Sequence, residues 1–306
     1  MNIGIFAPGA AGDLLVSTGV LPHRHLLWPK DARIIWFVQG QFADLLKHNH
    51  MIDEQREWSG FNNLALRTAD NRLDQARKRD YEKTSDLDEG YFSVPWLARA
   101  ADWGIPYRDV PRKVFGASAD LVWAPVLEWT DEEDAAAKAF IDGLPAGRRN
   151  IMIESHCHSH QSLWNQDTTA LVMKRCREQL GECNFVMASK EAAGDFPNDR
   201  TVFCCAAMTI RQLVPIYNRC HMFFGCASGI SVATCCWRAS PKVVRCVYAG
   251  CRLFTCDGMS RGPNFESYNE PRNLEEKIRE ATCKAIEFRS SSRGLRLSRY
   301  GLWGRR

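Results

Sequence analysis

No Cys-x-x-Cys pair occurs among the thirteen cysteines of this chain, and neither a zinc-finger nor a His-Glu-x-x-His spacing is present. The cysteine count is odd and the spacing irregular. Adjacent pairs at Cys204-Cys205 and Cys235-Cys236 sit in apolar runs, where a cysteine acts as a small hydrophobe. This pattern excludes a disulfide scaffold and fits a reducing compartment. No apolar run approaches the roughly 18 residues of a membrane-crossing helix. The N-terminus has no basic segment, long apolar stretch or small-residue cleavage site, so a cytoplasmic location is expected. Also missing is a basic stripe with interleaved aromatics, and a nucleic-acid partner is not expected. The formal charge is only +4, and much of that excess gathers in 289–306, a segment rich in arginine and free of acid. That tail reads as a flexible solubilising end, with peripheral contact to anionic lipid headgroups as the alternative.

What is present is a chain of 306 residues, 45% hydrophobic, enough for two lobes of similar size. The apolar run Ile3-Gly4-Ile5-Phe6-Ala7 predicts a buried strand, followed by the glycine turn Pro8-Gly9-Ala10-Ala11-Gly12 and one carboxylate, Asp13, at a helix start. The full dinucleotide pattern is absent, since the third glycine is missing and no acid follows at the next strand end. A nucleotide-sugar or phosphate site is therefore favoured over a nicotinamide site. A helix is expected from about Asp13 to Leu27, then a strand at Arg33 to Val38 that is apolar on consecutive positions, as a parallel sheet covered on both faces requires. Further expectations are a helix over 41–48, a short strand over 52–58, an exposed helix over 67–83 and a helix over 94–103. The stretch 109–123 fits no element clearly. Thr130-Asp131-Glu132-Glu133 predicts a capped helix start.

Gly143 to Asn150, with glycine, proline and charge, is the best linker candidate. Behind it the alternation restarts: strands at 151–154, 184–188, 201–204, 221–224 and 243–247, helices at 167–180, 209–218, 230–237 and 274–288. The expected fold is α/β, two facing Rossmann-like doubly wound domains, 1–146 and 147–288, followed by the basic tail. Such sheets bind ligands beyond the carboxyl ends of their strands.

Two stretches support a resemblance. Gly12-Asp13-Leu14-Leu15-Val16-Ser17-Thr18-Gly19, with Trp28-Pro29, Ala32-Arg33-Ile34 and Trp36-Phe37-Val38 behind it, resembles the N-terminal half of the heptosyltransferase-like enzymes, glycosyltransferase family 9 of the two-lobed GT-B type. Cys220 to Ala233, with its Ser228-Gly229 turn, is similar to their donor-side strand, turn and helix. The resemblance implies a metal-independent, inverting transfer of sugar from a nucleotide-sugar donor to a glycan or glycolipid acceptor, with no cofactor beyond the donor and no metal ligands. Asp13 would be the general base on the acceptor hydroxyl. Its alternative role is that of a helix cap. Gly12, Glu154, Ser159, Gln161, Ser162, Lys190, Ser228 and Gly229 would hold the donor and its phosphates, with His158 or His160 adding charge when protonated. Ala227 stands where the family usually has an acid, and Val232 where it has histidine. The basic residue expected before Trp164 is replaced by Ser162 and Leu163.

Competing readings are a nucleotide-sugar epimerase, a non-catalytic nucleotide- or glycan-binding protein, and a metal site in the His156–His160 cluster. Trp96, Trp103, Trp123 and Trp129 are candidates for stacking on sugar rings, although dispersed tryptophans are more often core. Ser/His/Asp hydrolase chemistry is set aside.

Overall fold

A computed structural model describes residues 1–7, 9–58, 90–93, 103–156, 164–205, 207–250, 258–260, 262–268 and 271–292. Helices expected over 67–83 and 94–103 fall almost wholly outside these. The first sheet contains β1 (Asn2–Phe6), β2 (Arg33–Val38), β3 (Glu54–Glu57) and β4 (Gly90–Ser93), in the order β3-β2-β1-β4, every pairing parallel. The second contains β5 (Arg149–Glu154), β6 (Cys183–Met187), β7 (Val202–Cys204), β8 (Met222–Cys226), β9 (Val244–Ala249) and β10 (Asn264–Tyr268), in the order β10-β9-β8-β5-β6-β7, again all parallel. Two doubly wound sheets are thus present, and Arg149 and Asn150, expected in the linker, already belong to β5 of the second.

The strands β1, β2 and β5 to β9 lie where the apolar runs place them. β4 and β10 went unassigned in the sequence because neither is a continuous apolar run; each is an edge strand. The first expected helix is broken into three pieces: α1 (Ala11–Ser17), a 3₁₀ turn over Thr18–His23, and α2 (Arg24–Leu27). Pro22 lies inside the 3₁₀ turn and cannot donate the hydrogen bond that a continuous α-helix needs there. The expected helix over 41–48 is likewise a 3₁₀ segment, Gly40–Leu46. The unassigned stretch holds α3 (Asp109–Phe115), ended by Gly116 in the left-handed region.

In α4 (Asp131–Asp142) the Thr130 side chain accepts from Glu133 N–H, and Glu133 Oε2 accepts from Thr130 N–H at 2.9 Å. That capping box was readable from residue order alone. The later helices are α5 (Gln166–Leu180), α6 (Lys190–Gly194), α7 (Ile210–Tyr217), α8 (Gly229–Ala233) and α9 (Pro271–Ser292). α9 runs past its expected end at Phe288 into the basic segment. Among the described residues no helix is long and apolar enough to cross a membrane.

Alternation along each strand assigns its side chains to two faces. In the second sheet, Ile151, Ile153, Phe185, Met222 and Phe224 pack with Val172 and Cys176 of α5 and Ile278 and Ala281 of α9. The opposite face, with Met152, Val186, Phe223 and Val247, joins a core that continues through Leu213 and Val214 of α7 and Val232 of α8 into Leu14 and Leu15 of α1 and Ile3, Ile5 and Trp36 of the first sheet. One continuous apolar core therefore ties the two sheets together. Trp123 fastens the connecting segment to it, its Nε1–H donating to Val16 C=O at 2.8 Å. Trp123 and Trp129 are 0% and 6% exposed, so they are core residues and not sugar platforms.

Among the described residues no disulfide joins two cysteines, and most of these side chains are buried. Burial pushes the Cys183 thiol up to about 11 and the Cys205 and Cys236 thiols up to about 12. These side chains stay protonated and act as apolar filler.

Candidate functional site

Strand order reverses once in each sheet, at β1 in the first and between β5 and β8 in the second. The loops leaving the carboxyl ends of these strands carry the candidate residues, which is where an open parallel sheet binds a ligand. The two reversal points meet. α1 begins directly after β1 and α8 directly after β8, and their first turns touch: a methyl group built on Gly229 would lie 3.0 Å from Ala11 Cβ and 3.4 Å from Gly12 N. One built on Gly12 would lie 3.5 Å from Val232 Cγ2, 3.7 Å from Gly229 Cα and 2.8 Å from the Tyr107 hydroxyl. Two glycines are what let these backbones approach so closely.

Asp13 stands one residue beyond this contact and is 8% exposed. Its Oδ2 accepts the Ala10 N–H at 2.6 Å, and the carboxylate lies directly over the Cα of Gly9, where any side chain would collide with it. The capping role weighed for Asp13 is therefore present in the structure. Such a bond satisfies one of the orphan donors at the helix start and fixes the direction of the carboxylate.

On the second sheet, Glu154 ends β5 beside Gly225 of β8 and is 2% exposed. Its Oε1 accepts the His156 N–H at 2.9 Å and so holds the beginning of the loop that follows. His156 Nδ1 lies 3.0 Å from Ser155 Oγ and 3.3 Å from Ser189 Oγ, joining the loops after β5 and β6. Ser159, Gln161 and Ser162, with His158 and His160, lie outside the described residues. Lys190 opens α6 at the carboxyl end of β6, capped by Ser189.

Ser228 uses its side chain locally. Its Oγ accepts from Ser231 N–H at 3.2 Å, and Ser231 Oγ accepts from Ser228 N–H at 3.0 Å. Beneath this turn Arg245, 0% exposed, donates to Ser231 C=O at 2.7 Å and to Thr234 Oγ1 at 3.0 Å, holding α8 from below. Sequence reading had no signal for Arg245, because an arginine within a strand is ordinarily taken to be exposed.

Charged groups also close the seam between the sheets. Arg211 of α7, its side chain 5% exposed, bonds Asp44 Oδ1 and Asp44 C=O, each at 3.1 Å, and pairs with Glu133 of α4. Burial pushes the Asp44 carboxyl up, but hydrogen bonds from Arg211 and Lys47 and the Arg211 charge outweigh it and hold it below the usual carboxylate range. Arg219 binds Asp134 through two hydrogen bonds, of 3.0 and 2.6 Å, and these together with its charge hold the Asp134 carboxyl low. Arg238 pairs with Glu128 at 2.9 Å and lies over the Trp129 ring at 3.8 Å.

Two further patterns in the sequence bear on metal and hydrolase chemistry. Asp86-Leu87-Asp88 has an Asp-x-Asp spacing able to hold a divalent cation, and it lies outside the described residues. Gly258-Met259-Ser260-Arg261-Gly262 has the spacing of a serine-nucleophile elbow. An elbow leads from strand to helix, whereas this segment leads into strand β10, so the context for a serine hydrolase is wrong. Among the described residues no three His, Cys, Asp or Glu side chains gather as a metal site.

No protein-family profile matches the chain. No curated protein matches it either. Solved structures do. The chain is similar to a family 9 glycosyltransferase from Veillonella parvula, with a TM-score of 0.66 at 13% identity, over 94% of this chain and 97% of that one. It is similar to the ADP-heptose LPS heptosyltransferase II of E. coli, with a TM-score of 0.65 at 13% identity, over 94% and 100% of the two chains. The E. coli heptosyltransferase WaaC with ADP gives 0.58 at 12%, over 94% and 100%. At these identities the likeness establishes the fold: two Rossmann-like domains of the GT-B type.

Proposed function

From a fold shared with heptosyltransferases, we propose that this protein transfers a sugar from a nucleotide-sugar donor to a glycan or glycolipid acceptor. The observation that carries the reading is the meeting of the two glycine turns, Gly12 against Gly229, with the Asp13 carboxylate beside them. An acceptor bound at the first sheet and a donor at the second would bring their reacting atoms together at this point. Proximity of this kind converts an encounter of two substrates into a single bound arrangement.

In the proposed reaction Asp13 takes the proton of the acceptor hydroxyl as its oxygen bonds to the anomeric carbon. The bond from that carbon to the diphosphate oxygen breaks on the opposite face, which inverts the centre. An ionised carboxylate has roughly four lone-pair sites, so the bond from Ala10 N–H positions Asp13 without exhausting it. Loops after β5, β6 and β8, through Glu154, Ser159, Gln161, Ser162, Lys190 and the Ser228-Gly229 turn, would hold the nucleoside diphosphate. The proposal needs no metal and no cofactor besides the donor. Contact of the arginine-rich end with anionic lipid would bring a glycolipid acceptor near.

A second reading, a non-catalytic nucleotide- or glycan-binding protein, is favoured by one observation. Val232 packs its methyl against Gly12, and the Ser228 hydroxyl is committed to its own turn, so this part of the seam is apolar and locally satisfied. Thermal melts with ADP, UDP and their sugar conjugates separate the readings. A ligand at about 100 times its Kd stabilises by about 2.7 kcal/mol, a rise of roughly 5 °C. The wild type should show that rise with at least one nucleoside diphosphate. Asp13→Asn, whose amide oxygen can still accept from Ala10 N–H, should keep the rise and lose transfer. A flat response to every nucleotide refutes the proposal. Binding without turnover across candidate acceptors selects the second reading.

A further inference from the structure

A sugar nucleotide brings a diphosphate to the seam, and the leaving group gains charge as the glycosidic bond breaks. The resemblance calls for a basic residue in the loop before Trp164, where this chain has Ser162 and Leu163. The seam's prominent cations are engaged elsewhere: Arg211 with Asp44 and Glu133, Arg219 with Asp134, Arg238 with Glu128. Each of these has a close carboxylate, Arg211 on the first half's 3₁₀ segment and on α4, Arg219 on α4, and Arg238 on the segment just before α4.

Arg108 is different. It lies in the first half of the chain, next to Tyr107, whose hydroxyl covers Gly12 at the contact between the two turns. Its guanidinium crosses to the second half, where it lies flush on Gly258: a methyl group there would stand 2.6 Å from Arg108 Nη1 and 2.8 Å from Cζ. Gly258, at φ +74°, belongs to the segment between β9, the strand beside β8, and β10. Arg108 therefore reaches from the first half of the chain onto the second, and its neighbour Tyr107 touches Gly12 where the two turns meet.

Its charge is also weakly compensated. Among the described residues its ion-pair partner is Asp109, at 3.7 Å, and the same Asp109 oxygen accepts a closer bond, 2.6 Å, from Arg112. The Arg108 side chain is 25% exposed, so solvent and ligands reach it. A guanidinium in such a place offers a planar fork of donors that matches a phosphate bidentately.

We propose that Arg108 is a phosphate-binding residue: it reaches from the first domain across the seam to the diphosphate of a nucleotide ligand held on the second, standing in for the basic residue that the loop before Trp164 lacks. The inference rests on the nucleotide-sugar reading and names the cation of that site. It also makes ligand binding a contact between domains, since the guanidinium and the second sheet's loops would share one diphosphate.

The test is calorimetric titration of wild type, Arg108→Gln and Arg108→Lys with ADP, UDP and the matching nucleosides, each variant first checked by its melting temperature. Arg108→Gln should bind the preferred nucleoside diphosphate about tenfold or more weakly, the worth of a charge-assisted hydrogen bond, with the nucleoside unaffected. Arg108→Lys should recover part of the loss and retain the salt dependence that Arg108→Gln loses. Unchanged diphosphate affinity in a folded Arg108→Gln overturns this inference alone. A wild type that binds neither diphosphate overturns it together with the proposed function. An equal loss for nucleoside and diphosphate also overturns it, because the effect would then be one of packing.

Discussion

Replacing Arg211 tests whether the two sheets are held as one unit. Its guanidinium is 5% exposed and is shared between Asp44, on the 3₁₀ segment of the first half, and Glu133, in the first turn of α4. Arg211→Ala leaves two carboxylates facing a cavity. Removing one member of a buried ionic cluster costs about 3–5 kcal/mol, because the remaining charges lose their compensation. Asp44 is 29% exposed and keeps Lys47 at 3.2 Å, while Glu133 keeps the Thr130 N–H at 2.9 Å, so the low end, about 3 kcal/mol, is expected here. For a chain of this size that is a fall of roughly 6 °C in melting temperature. Calorimetry should also show a single transition in the wild type, since the apolar core runs unbroken between the sheets. Glu133→Gln retains the capping geometry and removes only the charge, so Arg211→Ala combined with Glu133→Gln should lose less than the sum of the two. A fall under about 1 °C for Arg211→Ala, the behaviour of an exposed pair, would refute the reasoning. So would additive losses in the double variant.

Acid should loosen the same seam. Asp44 and Asp134 have folded pKa values below their unfolded value near 3.8, so the stability they contribute is full above that value and is lost as pH falls through the lower folded one. Melting temperature should therefore decline below about pH 4, and less steeply in Asp134→Asn; equal slopes in both proteins would count against the pairing. Gly229→Ala puts a methyl 3.0 Å from Ala11 Cβ, and overpacking costs about 1–3 kcal/mol, so a lower melting temperature with weakened nucleotide binding is expected. A Gly229→Ala protein with wild-type stability and affinity would show that the contact between the turns is not tight.

Much of the architecture was legible because the signals are local. A strand buried on both faces must be apolar on consecutive positions, which is why Arg33–Val38 stood out, and the strand expected at 184–188 lies one residue earlier, at Cys183–Met187. Thr130 and Glu133 announce a helix start because the two side chains satisfy each other's backbone N–H. The broken helix after Asp13 was not foreseen. Pro22 was visible, but whether a proline kinks a helix or turns it into a 3₁₀ segment depends on what packs around it.

Within the candidate site the glycine turns and Asp13 were found from residue order, since few residue types allow a tight turn after a buried strand. Tyr107 and Arg108 were missed: they precede a stretch with no clear period and acquire a place only through contacts with Gly12 and Gly258, both far from them in the chain. Arg211 and Arg245 look in the sequence like ordinary surface cations, and burial is a property of the folded neighbours.

By itself, then, the order of residues settled which segments could become strands, where helices begin, and that two parallel sheets would form, because hydrophobic period and capping act over a few residues. Only the tertiary structure decided that the two glycine turns touch and that arginines close the seam. Those contacts join residues far apart in the chain, and no local pattern encodes them.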